Sequence, residues 1–129
     1  MVESIPERLK DAALRLSEDC DNEINRILRH KSVAFVTNPL DYAWEYHEQF
    51  IDKWSNFGAK TLLLGMNPGP YGMAQTGVPF GATAMARDVL DIEERQISTP
   101  PGAHPKRPIE GLSMELSLIH ISEPTRLTC

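Results

Sequence analysis

Apolar residues recur every three or four positions in two stretches of the chain, which is the spacing of one face of an α-helix. The stretch from Ile5 to Arg29 predicts an amphipathic helix packed by its apolar stripe, with Cys20 as a small apolar residue on the inner face. The stretch from Asp41 to about Asn56 predicts a second helix, capped by Asp41 and ended before Gly58. The two stripes comprise Leu9, Ala13, Leu16, Cys20, Ile24, Ile27 and Leu28, and Trp44, His47, Phe50, Ile51 and Trp54.

Two shorter apolar runs predict strands. "SVAFVT", Ser32 to Thr37, predicts a short extended segment before a turn at Asn38-Pro39. "KTLLLGM", Lys60 to Met66, holds consecutive leucines, which favour a parallel strand covered on both faces. A loop rich in Gly and Pro follows, and then a predicted helix from about Thr83 to Leu90. Strand, loop and helix in this order indicate an α/β fold that binds ligands beyond the carboxyl end of the strand.

Composition and charge narrow the class of protein. The 129 residues suffice for one small domain, and no apolar run approaches the ~20 residues that span a bilayer, so we expect no membrane partner. Cys20 and Cys129 are too few for a disulfide framework, and no pair of His or Cys has the spacing of metal ligands. His47 falls on the apolar side of its helix, which favours a packed or hydrogen-bonded core group. The net charge of −5 disfavours a nucleic-acid partner, although a basic cluster, "HPKRP", spans His104 to Pro108.

The segment from Thr61 to Ala86 contains no Asp, Glu, Lys or Arg. Asn67 follows the predicted strand, Met73 and Phe80 offer apolar surface, and Gln75 offers neutral hydrogen bonding. One interpretation is a rigid, neutral pocket for a flat polar ring such as a nucleobase. The other is a tight Gly/Pro connection with Phe80 in the core. The residues alone leave both interpretations open.

The motif "LLLGMNPGPYGMAQTGVPFG" resembles the first active-site motif of the single-strand-selective monofunctional uracil-DNA glycosylases, within the uracil-DNA glycosylase superfamily. Flanking segments agree, namely "NPLDYAWEYHEQF", "RDVL" and "PPGAHPKRPIEGL", so that the resemblance covers about residues 33–112. It implies a three-layer α/β/α fold with a central parallel sheet. It also implies hydrolysis of the N-glycosidic bond of uracil, and of some oxidised or 5-substituted uracils, in single- and double-stranded DNA, in base-excision repair in the nucleus, without metal or cofactor.

The resemblance also implies roles for individual residues. Asn67 would position the water that attacks C1′ of the deoxyribose, and Phe80 would stack on the extruded base. Met66, Gly69 and Met73 would line the uracil pocket. The cluster of His104, Lys106 and Arg107 is a candidate for contact with DNA phosphates, and a solvated Pro-rich loop is the equal alternative.

Other parts of the family pattern are missing from the sequence. The second motif, whose His stabilises the departing uracil anion, has no counterpart, and neither has the Asn that reads the uracil edge. From residue 113 the sequence no longer resembles the family, and "LSLIHISEPTR" resembles a translated sequencing adapter. We therefore predict an N-terminal helix over 1–31, part of a glycosylase domain over 32–112 and an unrelated tail over 113–129. The chain is expected to be monomeric and nearly inactive; the alternatives are a non-catalytic truncated isoform or a module that binds a nucleobase or DNA.

Overall fold

The longest element is helix α1, Ile5–Leu28, in the computed structural model, which describes residues 2–114. Its start is set by Ser4, whose side chain accepts a hydrogen bond from the Glu7 backbone N–H. The Glu7 carboxylate accepts from the Ser4 backbone N–H at 2.9 Å, and Pro6 lies in the first turn. These reciprocal contacts satisfy backbone donors that a helix otherwise leaves free. The prediction of an N-terminal helix is confirmed.

The apolar stripe of α1 is largely exposed, contrary to prediction. Leu16 is 54% exposed and Leu9 is 44% exposed, and Cys20 is exposed too, so its predicted place on an inner face is wrong. The buried residue of α1 is Ser17. Ser17 hydrogen-bonds Asn38, and Lys10 forms an ion pair with Asp52. Most of the stripe stays exposed, because periodicity defines an apolar face but does not supply a partner to cover it.

Asn38 joins α1 to the next helix, α2, which spans Pro39–Tyr42. Its side-chain oxygen accepts from the Leu40 backbone N–H at 3.1 Å and caps α2. Its amide nitrogen lies 3.0 Å from the carbonyl oxygen and from the hydroxyl of Ser17. Asn38 is therefore the cap in place of the predicted Asp41, and the helix begins at the Pro that follows it, as Pro at a first helical position favours.

Helix α3, Trp44–Trp54, follows α2 after a break at Ala43, whose φ of −108° is not helical. The predicted second helix is therefore two helices. Tyr46 is buried, and its hydroxyl donates to the Arg95 carbonyl at 2.6 Å and accepts from the Arg95 N–H at 2.9 Å. Gln49 likewise exchanges two hydrogen bonds with the backbone of Glu93. Side chains of α3 thus hydrogen-bond the backbone of residues 93–95, as a neighbouring strand would.

The part of the chain from residue 2 to residue 114 contains no β-strand, so the predicted strands at Ser32–Thr37 and Lys60–Met66 are absent there. Leu62, Leu63 and Leu64 are 87%, 72% and 89% exposed. A strand is stabilised by pairing and by burial of its faces, and no other segment of these residues pairs with the leucines. This part of the chain is helical with irregular connections and has no sheet.

The core is small and lies where Ala43 and α3 meet the end of the uncharged loop and the segments that follow it. It consists of Ala43, Tyr46, Val78, Ala86, Ile92 and Leu112. The predicted helix near Thr83–Leu90 is present as a short helical segment with a π-helical turn at Met85–Val89. No helix within the described range has the length and apolar character that a membrane crossing requires.

Two short elements complete the fold. Helix α4, Met73–Thr76, lies inside the uncharged loop, and a 3₁₀ turn spans Gly111–Ser113. The Thr83 hydroxyl donates to the Met114 carbonyl at 2.9 Å. The rest of the predicted tail, residues 115–129, lies outside the described residues.

Candidate functional site

A cleft of about 240 Å³ separates the loop after Asn67 from the Pro-rich segment before Ile109. None of the residues lining it is an Asp or a Glu, while His104 and Arg107 contribute basic groups. The cleft is therefore neutral to cationic in a chain whose net charge is −5. The lining residues are Phe35, Thr37, Asn67, Pro68, Pro70, Ala74, Gln75, Gly102, Ala103, His104, Arg107 and Ile109.

The side chain of Gln75 ties the two walls of the cleft together. It is 1% exposed, and its amide nitrogen donates to the carbonyl oxygens of Pro70 at 3.1 Å and Pro108 at 3.0 Å. Its amide oxygen accepts from the backbone N–H groups of Glu110 at 2.7 Å and Gly111 at 3.2 Å. All four hydrogen-bonding positions of a neutral amide are used, so burial leaves no polar group unpaired. Gln75 thereby fixes the distance between the Asn67 loop and the segment that follows Arg107.

The Thr76 hydroxyl closes the loop on itself. It donates to the Gly81 carbonyl at 2.8 Å and accepts from the Val78 N–H at 3.1 Å. A Cβ at Gly81 would lie 2.7 Å from the Cβ of Val78, so the turn is too close for any other residue. The chain therefore turns tightly between Thr76 and Gly81, and Val78 within this turn packs in the core.

Tyr42 and His47 hold the loop against α2 and α3. The Tyr42 hydroxyl donates to the Ala74 carbonyl at 2.6 Å, and burial raises the pKa of Tyr42 to about 12, against the smaller opposing effect of a hydrogen bond with Thr37. His47 Nδ1 lies 2.7 Å from the Gly77 carbonyl, to which the ring donates. Burial lowers the pKa of His47, and the contact with Gly77 opposes that effect only in part. The expectation that His47 is a hydrogen-bonded core group is confirmed.

The pH dependence of stability follows from His47. Above its ordinary pKa of 6.5 the ring is neutral in the folded and unfolded chains alike. Because folding lowers the pKa, the unfolded chain binds the proton first as the pH falls, and the folded state loses stability below about pH 6.5. We expect the midpoint of thermal unfolding to fall between pH 7.5 and 5.5, and His47→Gln to weaken that dependence, since an amide still donates to Gly77. His30→Gln, at an exposed position just after α1, is the control. Equal pH dependence in His47→Gln and the parent would refute the assignment.

The structure brings some of the predicted site residues together and separates others. Asn67, His104 and Arg107 line the same cleft. Met66 and Phe80 are not among its lining residues and are 98% and 65% exposed. Phe80 has a φ of +56° and its ring lies near Gly65, so the interpretation that puts Phe80 in the core is wrong. Gly69 and Met73 are half-buried and Lys106 is exposed, all three outside the cleft lining, and the roles assigned to these residues stay predictions.

Two contributors to the cleft were not predicted, and a third was predicted only in part. Phe35 was placed in a strand, Gly102 carried no role, and Gln75 was given only neutral hydrogen bonding. A Cβ at Gly102 would overlap the carbonyl oxygen of Val36, so the Pro-rich segment packs directly on the backbone that carries Phe35. No local signal in the sequence reports such an approach between distant segments.

The described residues offer little else as a site. They contain no group of three or more His, Cys, Asp or Glu side chains that could hold a metal ion. A larger depression runs along α1 between Glu3 and Asp19, but only α1 and the residue Glu3 just before it line it. A groove without an opposing wall does not enclose a small ligand. The cleft beside Asn67 is therefore the candidate site.

Comparison with known proteins points to one family. The chain is 41% identical over 107 residues to the single-strand selective monofunctional uracil DNA glycosylase of Bos taurus, which covers 83% of the chain and 39% of the relative. It is 42% and 43% identical over 109 residues to those of Mus musculus and Rattus norvegicus, covering 84% of the chain and 37% of each relative. No protein-family model matches the chain. The chain therefore belongs to the single-strand-selective monofunctional uracil-DNA glycosylases and spans about two fifths of the length of these curated relatives.

Proposed function

We propose that the protein to which this chain belongs removes uracil from DNA by hydrolysing the N-glycosidic bond. The observation that carries this proposal is the identity of 41–43% with glycosylases of that name, over a region that includes the Asn67 loop and the cleft. The neutral-to-cationic lining of the cleft supports it, since DNA is a polyanion. Extrusion of the base makes the bond accessible, and single strands avoid the cost of unpairing.

Asn67 is the proposed group that positions the attacking water. In this reaction the sugar gains positive charge while uracil leaves as an anion. A neutral amide orients a water molecule without adding negative charge beside the departing base, and a carboxylate at the same place would oppose the anion. The absence of charged residues from Thr61 to Ala86 fits this requirement. The donor that stabilises the uracil anion would then lie on the opposite side of the base.

The proposed complete fold is an α/β/α sandwich in which the run from Leu62 to Met66 is a buried strand. Four of its side chains are 72% to 98% exposed in the structure, namely those of Leu62, Leu63, Leu64 and Met66. Monomeric proteins seldom expose an apolar run of this kind to water. Other segments of the full-length protein would cover it and would carry Asn67 to the carboxyl end of a strand, where open sheets bind ligands.

The test is release of uracil from a single-stranded oligonucleotide by the full-length protein that carries this segment. Asn67→Ala should slow release on the order of 10²-fold or more, the range for a group that acts on the proton or water in the transition state, while DNA binding survives. Asn56→Ala, in an exposed turn after α3, is the matched control. Unchanged release by Asn67→Ala would refute the role given to Asn67. Release of thymine from a thymine oligonucleotide at the same rate would refute uracil as the preferred substrate base.

The 129-residue chain is assayed beside the full-length protein. We expect it to bind the oligonucleotide but release little uracil, because no residue from 2 to 114 provides the second motif of the family. Release at the full-length rate would contradict this expectation. Binding without release by both proteins would instead favour the alternative of a module that binds a nucleobase or DNA.

A further inference from the structure

Phe35 is an exposed aromatic ring at the cleft. Its side chain is 44% exposed, and its ring meets that of His104 edge to face, with centroids 4.7 Å apart and an interplanar angle of 62°. Gly102 packs so closely on the backbone of Val36 that an added Cβ would overlap its carbonyl oxygen, and this approach joins the two segments that carry these rings. A flat side chain held in this way is a surface on which an unstacked base can lie.

Phe35, His104 and Arg107 form one rim of the cleft. This rim carries hydrogen-bond donors, and no acidic side chain lines the cleft to pair with them. The Arg107 guanidinium forms no ion pair with a carboxylate of residues 2–114, and no acid is among the residues that line the cleft. The Lys106 backbone N–H donates to His104 Nδ1 at 3.0 Å. That contact makes Nδ1 the acceptor, so the proton of the neutral imidazole lies on Nε2, which is then a donor. Two donors and a flat ring thus border one opening.

We propose that Phe35, His104 and Arg107 bind one nucleotide of single-stranded DNA, adjacent to the nucleotide at Asn67. A phosphate would accept hydrogen bonds from Arg107 and His104, and the base attached to it would stack on Phe35. A phosphate next to a flat ring is the unit that a nucleic-acid strand repeats. A duplex keeps its bases stacked on one another and leaves no face for Phe35, so the rim selects single strands.

This proposal rests on the proposed function, because that function places a nucleotide at Asn67. The site at Phe35 itself does not distinguish uracil from other bases. The test therefore uses a fluorescent oligothymidylate and the 129-residue chain, with binding followed by anisotropy at several salt concentrations. Phe35→Leu should weaken binding on the order of tenfold, as loss of one base–aromatic stack does. Arg107→Gln should weaken it and lower the slope of log affinity against log salt by about one. Phe35→Trp should retain binding, because it keeps a ring at the same place.

Two matched controls separate the rim from the rest of the surface. Phe57→Leu removes an aromatic ring that is 73% exposed beside Trp54, and Arg29→Gln removes a cation at the end of the first helix. Both should bind as the parent does. Circular dichroism of each variant should match that of the parent, which checks that the helices are kept.

The outcomes are distinct. Parent-like binding by Phe35→Leu or an unchanged salt slope in Arg107→Gln would overturn the proposal, as would equal affinity for a duplex of the same sequence. Failure of the full-length protein to release uracil, with the effects of Phe35→Leu and Arg107→Gln on binding intact, would instead count against the proposed function at Asn67 and leave this site standing.

Discussion

Gln75→Glu should destabilise the fold by about 3–5 kcal/mol at neutral pH, as an unpaired buried charge does. The new carboxylate keeps its acceptor contacts with the N–H groups of Glu110 and Gly111. It loses both donated hydrogen bonds and places negative charge against the carbonyl oxygens of Pro70 and Pro108, at positions now 3.1 and 3.0 Å away. Because small domains are stable by only about 5–15 kcal/mol, the change is a large fraction of the total. Urea denaturation measures it.

The pH dependence of this variant tests the cause. Burial beside carbonyl oxygens raises the pKa of the introduced carboxyl above its unfolded value of about 4.3. A protonated carboxyl donates one hydrogen bond, so the difference in stability between variant and parent should shrink as the pH falls toward that value and grow as it rises. Gln49→Glu is the matched control, since Gln49 also hydrogen-bonds the backbone N–H and C=O of one residue, Glu93, but lies only partly buried. A loss in Gln49→Glu equal to that in Gln75→Glu would contradict the argument.

Local signals in the sequence predicted what local interactions control. The first helix was predicted from its apolar spacing alone, and the capping pair of Ser4 and Glu7, a local signal that the prediction did not use, sets its start. The predicted face of α3 is confirmed at His47 and Ile51, but it omitted the buried Tyr46 and included Trp54, which is 40% exposed. The break at Ala43 was not predicted, because Asn38 caps α2 while it also binds Ser17 on another helix.

Long-range contacts explain what the sequence did not predict. The run from Leu62 to Leu64 has the composition of a buried strand, but strand formation depends on partners, and none lies in the part of the chain that the structure describes. The cleft was half predicted: the motif identified Asn67 and the basic cluster identified Arg107. Their meeting depends on Gln75 and Gly102, each of which contacts a distant segment of backbone. Neither residue type carries such information in itself.

Gly77→Ala should be strongly disruptive, with a cost of about 2–5 kcal/mol, because it combines backbone strain with a close contact. Gly77 has a φ of +65°, where a side chain costs roughly 1–2 kcal/mol. An added Cβ would also lie 2.8 Å from the carbonyl oxygen of Ala43 and 2.9 Å from its Cβ. These atoms belong to the break between α2 and α3 and cannot rotate away. The loop would have to move off the helices, taking with it the carbonyl that His47 binds.

Gly58→Ala separates backbone strain from this close approach. Gly58 has a nearly equal φ of +67°, but a Cβ there would meet nothing within 4 Å. Both substitutions restrict the unfolded chain alike, so that contribution cancels when the two are compared by urea denaturation. Gly58→Ala should cost only the strain, and the excess in Gly77→Ala measures the packing of the loop on Ala43. Equal losses in the two variants would show that the loop is not pressed against the helices. An excess would establish that α2 and α3 position the loop that carries Asn67.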